Sequence, residues 1–404
     1  MFELDLVHTL AFGGVALLCG YGLRRAVPIL ERFNIPAPVL GGLLVPVATL
    51  IAHGQGLDLI RFDTTLQSPL MIAFFTTIGF GASLSLLRIG GPQVVRFFLL
   101  ASAFAVAQNV IGIAFAVAFG LNPLFGVLAG SVTLMGGPAT GIAFAPLFEQ
   151  AGVPAAASVA VAIAIGGIVA GGLVGGPVST LLIERGKLQT PRRSRGAVDV
   201  LSVADLDGDT SPTTSTDDDA WPVLRNLVVI LVAMWVGAWV SRGFTALGMT
   251  LPSYIGAMLV AGAIRNLDDV TGWFGLSHRF IDRVGVVTLS LFLVMALMTL
   301  KLWELAGLVL PLVVILLIQV VIVALVAAGA VFRAMGRDYE AAVMSGGFIG
   351  FMLGTTANAM AIMRALVDHY GPAPHAFIVA PIVGAFLLDF TNALIITLFL
   401  NFVA

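Results

Sequence analysis

Residues 97–148 read FFLLASAFAVAQNVIGIAFAVAFGLNPLFGVLAGSVTLMGGPATGIAFAPLF, 52 consecutive residues without one charged side chain. A helix crosses the hydrocarbon core of a bilayer in about 20 residues, so the run is long enough for two crossings. Its two parts are not alike. From Phe97 to Phe119 the apolar side chains are nearly continuous, which predicts a plain span. From Asn122 onward Gly126, Gly130, Gly136, Gly137 and Gly141 recur among Ser131, Thr133 and Thr140. That pattern predicts a helix that enters the membrane, breaks and leaves on the same side. Uncharged runs of 34 residues between Glu149 and Glu184 and 28 between Glu304 and Arg333 extend the theme. An isolated strand cannot satisfy its backbone in lipid, so these runs are read as helices.

The composition agrees. Of 404 residues, 59% are apolar and 10% charged, against about 25% charged in soluble domains. Mean hydropathy is +1.05. The net charge of −2 offers no basic face for nucleic acid. The single cysteine, Cys19, excludes a disulfide framework or a Cys-cluster metal site within the chain.

Ten spans are expected, near 5–23, 37–53, 68–87, 97–119, 154–182, 222–241, 251–264, 285–300, 305–332 and 375–402. Two Gly-broken stretches, near 123–148 and 339–364, are expected to be re-entrant hairpins. Met1-Phe-Glu-Leu-Asp5 lacks the positive start and cleavage site of a signal peptide. Arg24 and Arg25 follow the first span, which is therefore expected to be an anchor with its N-terminus outside. This topology puts 17 of the 20 Lys and Arg in cytoplasmic segments and leaves only Arg61, Arg242 and Lys301 outside. So strong a bias supports both orientation and span count. The side of Arg364 depends on the second hairpin.

Residues 184–221 carry eight Asp or Glu and five Lys or Arg among Pro, Ser, Thr and Gly, without apolar periodicity. They are expected to be a flexible cytoplasmic linker. Asp217-Asp218-Asp219 is read as a solvated acidic run rather than a metal site. The flanking segments, 1–183 and 222–404, echo each other. Ile35-Pro36 opens one short span and Leu251-Pro252 another, and each half ends in a hairpin and a long helix. Five crossings per half place the second upside down relative to the first. The fold class is thus an all-α polytopic membrane protein, with ten transmembrane helices in two inverted five-helix repeats, each with a re-entrant hairpin. Such an arrangement is the signature of secondary transporters.

Chemistry follows from the breaks. An interrupted helix leaves free N–H groups at one end, which attract carboxylate, and free carbonyls at the other, which can coordinate a cation. Two tips meeting near mid-membrane would hold an anionic solute and its coupling ion. The candidate solute contacts are Ser131, Thr133, Gly136, Gly137, Thr140 and Gly141 on the first hairpin and Gly350, Gly354, Thr355, Thr356 and Asn358 on the second. Arg364 is added as a bidentate carboxylate partner, with a surface Arg at the headgroups as the alternative. Close helix packing is the alternative for the hairpin glycines, and it is preferred for Gly167, Gly171 and Gly175. Asp389 is the one acid deep in a span, where an acid costs about 2.5–3.5 kcal/mol on insertion scales. It is a candidate Na⁺ ligand together with Thr391, Asn392 and Asn109, or a proton carrier, or a structural hydrogen-bonding group. For Gln108, Asn109 and Gln319 interhelical glue is the alternative to a site role, and it is preferred for Gln319. No HExxH or Cys cluster occurs, so an intramembrane enzyme is disfavoured. An ion exchanger without an organic substrate remains as an alternative.

These stretches resemble the bacterial sodium/glutamate symporters (the glutamate:Na⁺ symporter family) over nearly the whole chain. The similarity is carried by Ile35-Pro-Ala-Pro-Val-Leu-Gly-Gly-Leu-Leu44, Pro69-Leu-Met-Ile-Ala-Phe-Phe75, Leu128-Ala-Gly-Ser-Val-Thr133, Ser290-Leu-Phe-Leu-Val-Met-Ala-Leu-Met298, Leu300-Lys-Leu-Trp-Glu-Leu305, and Pro381-Ile-Val-Gly-Ala-Phe386 through Asn392. The resemblance implies Na⁺-coupled uptake of glutamate or a related carboxylate, no cofactor beyond Na⁺ as coupling ion, a homodimer and an elevator-type motion. It implies a bacterial inner-membrane location; the basic-residue topology with ten spans puts both termini on the periplasmic side. The chain departs from the family pattern at the hairpins. Pro138-Ala139 stand where the family has His-Gly, Phe348 where it has His, Ala357-Asn358 where it has Pro-Thr, and Arg364 where it has Gln. Gly141, Thr140, Gly350, Gly354, Thr356, Asp389 and Asn392 keep the pattern. A different organic anion is therefore the alternative substrate.

Overall fold

The computed structural model describes residues 2–53, 60–84, 91–189, 220–246 and 252–403. It is helical almost throughout. The one sheet among the described residues pairs Phe2–Leu4 in parallel with Ile60–Phe62, and the Thr9 hydroxyl accepts from the Asp63 N–H. The helices are α1 Leu6–Ala26, α2 Pro28–Arg32, α3 Ala37–His53, α4 Gln67–Phe80, α5 Gly91–Ala118, α6 Pro123–Val127, α7 Gly137–Gln150, α8 Ala156–Arg185 and α9 Ala220–Ala246. They continue as α10 Ser253–Thr271, α11 His278–Met298, α12 Val309–Val326, α13 Phe332–Met335, α14 Tyr339–Met352, α15 Thr356–Tyr370, α16 Pro374–Ile382 and α17 Leu388–Val403.

Among the described residues, six helices are long and apolar enough to cross a membrane: those at 6–26, 91–118, 156–185, 221–246, 278–298 and 309–335. Shorter apolar helices occupy 37–51, 67–80, 123–132 and 388–403. Every expected span and hairpin coincides with helix, with shifted ends. The helix expected to end at 264 runs on to Thr271, and the one expected from 285 begins at His278. Hydropathy marks where a helix meets lipid, whereas helix ends are set by caps. Gly272, in the left-handed region at φ 66°, terminates α10, and the Ser277 hydroxyl accepts the Phe280 N–H at the start of α11. Most of the expected linker, residues 190–219 with the acidic run at 217–219, lies outside the described residues.

The helices pack as two groups. One joins α1, α3, α4, α9, α10 and α11; the other joins α5, both broken segments, α8, α12, α16 and α17. In the first group backbones touch through glycine. A Cβ on Gly20 would lie 2.2 Å from the Ala37 carbonyl oxygen, and one on Gly237 would lie 2.2 Å from Ala257 Cα. Without a hydrophobic bias between helices in lipid, such small-residue contacts decide which helices pair. Across the seam, Phe144 of α7 sits edge-on to Tyr254 of α10, which stacks on Phe75 of α4 with centroids 3.9 Å apart. Elsewhere on the seam, Phe33 of the α2–α3 turn reaches α8, 3.5 Å from a Cβ placed on Gly172.

Candidate functional site: two broken helices meeting tip to tip

The first hairpin starts where the Asn122 side chain accepts the Leu124 N–H and Pro123 takes the first helical turn. Its inward limb widens into a π turn at Leu128–Val132, with Gly130 in a non-helical conformation (φ −102°, ψ −128°). The chain reverses at Met135-Gly136. Gly137, at φ +68°, opens the return limb α7 with Pro138 behind it. The second hairpin is capped by Asp338, which accepts the Ala341 N–H, and descends as α14. It reverses at Leu353-Gly354, and Thr355 caps α15 through the Asn358 N–H. Its limbs run antiparallel and close, since a Cβ on Gly350 would lie 2.4 Å from Ala359 Cα and one on Gly346 would lie 3.1 Å from Ile362 Cγ2.

The two tips meet. A Cβ on Gly137 would lie 3.1 Å from Thr355 Cγ2 and 3.7 Å from the Gly354 carbonyl oxygen. Around them, buried amides fasten one broken segment to the next. The Ser131 N–H donates to Asn109 Oδ1 at 2.8 Å, and Asn392 Nδ2 donates to the Ser131 carbonyl at 2.9 Å. Gln108 Nε2 donates to the Met352 carbonyl at 2.8 Å, and Gln319 Nε2 to the Gln108 carbonyl at 2.7 Å. Asn358 Nδ2 donates to the Ile168 carbonyl at 3.3 Å. The helical stretch leading into α17 is itself broken by a π turn at Val383–Leu387, and the Gly384 carbonyl accepts from the Thr356 hydroxyl at 2.9 Å.

These amides are only half used. Ser131 Oγ, Gln108 Oε1, Gln319 Oε1, Asn358 Oδ1 and Asn392 Oδ1 are buried without a protein partner among the described residues. The Asn109 Nδ2 is likewise buried without a partner; burying polar atoms unpaired is costly, so donors and acceptors both are left for a polar solute, an ion or water. No three His, Cys, Asp or Glu converge among the described residues, so thiolate- or imidazole-rich metal chemistry has no ligand set there.

Other expected residues fall as follows. Thr133 is buried and donates to the Leu128 carbonyl. Thr140 is buried over Gly136, and Gly141 faces Thr133 and Ala160. Thr355 and Thr356 are half-buried at the tip. Asp389 and Thr391 are half-buried on α17, which also carries the buried Asn392. Asp389 and Asn392, three residues apart, lie on neighbouring helical positions. Arg364 is exposed, about 12 Å of helix from the tip by the rise of 1.5 Å per residue, and is not brought into the cluster. The small-residue row of α8 packs against the second hairpin, with Gly167 facing Leu353, Gly171 facing Asn358 and Gly175 facing Ile362. Phe348 is fully buried, edge-on to Phe97 and Phe104 with centroids 6.0 and 5.6 Å away. Where the resembled family has His, this chain packs Phe348 among phenyl rings.

The interhelical role preferred for Gln319, and weighed for Gln108, is what their hydrogen bonds to other helices show. In doing so Gln108 braces Met352, the residue just ahead of the second tip. The available signal was their burial cost inside otherwise apolar helices, shared with the neighbouring Asn109.

Helices long and apolar enough to cross a membrane, together with two that break at buried, polar, glycine-lined tips, fit a membrane transporter. The comparisons agree. The family model described as sodium/glutamate symporter matches residues 2–372. The sodium/glutamate symporter of Escherichia coli (strain K12) is 40% identical over 407 residues, covering 99% of this chain and 98% of that one. That of Haemophilus influenzae is 39% identical over 393 residues, covering 97% and 96%. The chain belongs to the sodium/glutamate symporter family.

Proposed function

We propose that the protein carries glutamate, or a closely related small carboxylate, into the cell together with Na⁺. The site is the meeting place of the two hairpin tips. Ser131, Thr133, Gly136, Gly137, Thr140, Gly141, Gly350, Gly354, Thr355, Thr356 and Asn358 surround the solute. The N–H groups at the start of α7 and α15 face its carboxylates. Asp389, Thr391, Asn392 and Asn109 border the Na⁺ site, to which the unpartnered oxygens of Ser131, Asn392 and Gln108 add ligands. Arg364 lies further along α15, at a position to attract an anion rather than to hold it. The observation that carries this reading is the contact of Gly137 with Gly354 and Thr355. Tips of two different broken helices in contact would bring N–H and carbonyl ends to one site.

In this reading the protein lies in the bacterial inner membrane with ten spans, both termini periplasmic and the 184–221 linker cytoplasmic. Residues 1–183 and 222–404 are inverted repeats, and the assembly is a homodimer. Supporting the repeat, the glycine contacts of the first helix group recur in register. Gly20 meets Gly41, and Gly237 meets Gly256, positions displaced by 217 and 215 residues. Likewise Gly42 meets Leu297 while Gly79 meets Met258. The exchange of partners between halves is what a pseudo-twofold axis in the membrane plane produces.

The test is uptake into proteoliposomes. An inward Na⁺ gradient should drive accumulation of radiolabelled glutamate, and its collapse should abolish it. Uptake indifferent to both Na⁺ and H⁺ gradients refutes symport. Accumulation of another carboxylate in preference to glutamate would keep the mechanism and change the solute.

A further inference from the structure

A second polar cavity, of about 440 Å³, lies between the two helix groups. That volume is within the roughly 300–1,000 Å³ of small-ligand sites. One wall is the outer half of the return limb α7 and the start of α8, with Glu149 and Ser158. The other is the end of α11 and the turn after it, with Thr299, Lys301 and Glu304, closed at the side by Gln67 of α4. In the orientation proposed above this is the periplasmic end of the seam. The Phe33 contact with α8 occupies a different stretch of the same seam, near Asn358.

The charges are divided between the walls. Glu149 is exposed on the hairpin wall, and no ion pair is found for it among the described residues. Lys301 is exposed on the opposite wall, with Glu304 Oε1 3.8 Å from its ammonium, too long for a strong hydrogen bond. The hairpin wall also carries a positive element. The 30-residue helix α8 begins after Ala155, which sits at φ 53° and gives no side-chain cap. Ala155, Ala157 and Ser158 line the cavity, so free N–H groups of that first turn border it. The Ser158 hydroxyl, donating to the Lys301 carbonyl at 3.4 Å, spans the two walls at this level.

We propose that this cavity is an outward-facing capture site for the zwitterion of an α-amino dicarboxylate, with carboxylate held by Lys301 and the start of α8 and ammonium held by Glu149. The proposal rests on the symport reading and adds to it. It assigns the requirement for an amino group to Glu149, outside the hairpin tips. A plain dicarboxylate satisfies Lys301 and the helix start but leaves Glu149 facing a methylene. Because the ligand bridges both walls, capture also depends on the seam being open on this side.

The experiment measures initial rates of Na⁺-driven glutamate transport in right-side-out and inside-out vesicles of cells producing the full chain. Glutarate, which lacks the ammonium, serves as competitor. Glu149→Gln should raise the external KM for glutamate about fivefold, the size of one exposed charge contact. Inhibition by glutarate should hold or strengthen. Lys301→Gln should weaken glutamate and glutarate together, and Lys301→Arg should restore both. KM measured from the cytoplasmic face should not move in any variant. External KM and glutarate selectivity unchanged in Glu149→Gln and Lys301→Gln, or equal changes at both faces, would overturn the proposal while leaving Na⁺ symport intact. Loss of Na⁺-driven uptake in the unmodified protein would instead overturn the symport reading beneath it. Should Lys301→Gln fail to accumulate in the membrane, Lys301→Arg and Glu149→Gln decide the matter.

Discussion

Substitution of Gly137 by alanine tests the tip-to-tip site most directly. Gly137 lies at φ +68°, where a side chain costs about 1–2 kcal/mol. The new methyl would also sit 3.1 Å from Thr355 Cγ2, closer than ordinary van der Waals contact, so the tips must part by a few tenths of an ångström. The two effects can be separated. Gly120 has a similar φ of +71° with nothing within 4 Å of its Cβ position. Gly120→Ala therefore carries the backbone strain without the contact. If the solute is held between the tips, Gly137→Ala should weaken Na⁺-dependent glutamate binding by about five- to thirtyfold, the equivalent of 1–2 kcal/mol. Gly120→Ala should lower the unfolding temperature of the purified protein by a comparable amount and leave affinity alone. Adding Thr355→Ser removes the methyl that the alanine meets and keeps the hydroxyl that caps α15, so it should recover most of the lost affinity. Titration calorimetry in Na⁺ buffer, alongside thermal unfolding, reads all three variants. Unchanged affinity in Gly137→Ala, or no recovery on adding Thr355→Ser, would refute the shared-tip site.

Asp389→Asn keeps the shape of the side chain and removes its charge. The concentration of Na⁺ needed for half-maximal glutamate binding should rise tenfold or more, about 1.4 kcal/mol, and an unchanged Na⁺ dependence would exclude Asp389 from the ion site. Phe348→Ala empties a fully buried position between Phe97 and Phe104. It should destabilise the protein by about 3–5 kcal/mol, seen as a large fall in unfolding temperature. On the loop ahead of α4, outside the spans, the hydroxyl and backbone N–H of Thr65 hold the Asp63 carboxyl below its ordinary 3.8. The folded value lies below the unfolded one, so this contribution is full above the ordinary carboxylate range. It disappears as pH falls through the lowered value. Amide exchange at Thr65, corrected for intrinsic rate, should lose protection only on acidification below about pH 4, and Asp63→Asn should abolish that pH dependence.

Much of this protein is legible from one residue to the next. Crossing a bilayer requires length and apolarity, and both are local properties, so the uncharged runs located the helices to within a few residues. The breaks were legible for the same reason. Gly136-Gly137 and Gly354, with polar neighbours and a capping Thr355, announce a reversal wherever they occur. Helix ends were read less well at α10 and α11, because caps such as Gly272 and Ser277 lie beyond the apolar run that drew attention. Asp389, Asn392, Ser131 and Asn358 stood out because polar groups in apolar helices are costly and therefore few.

What the chain order could not give is which helix faces which. Hydrophobicity sorts residues between water and lipid, but among helices already in lipid it favours no neighbour over another. The choice falls to shape and to single hydrogen bonds between distant residues. Gln108 reaches Met352 across 244 positions, and Asn392 reaches Ser131 across 261. The glycine contacts at Gly20, Gly79 and Gly237 likewise take their meaning only from the backbone that fills each notch. The sequence therefore determined that there would be spans and two broken hairpins. Only tertiary packing brought Gly137 onto Thr355, left Phe348 among phenyl rings and Arg364 at the surface, and opened a charged cavity between Glu149 and Lys301, because each of these depends on surfaces complementary in three dimensions and unrelated along the chain.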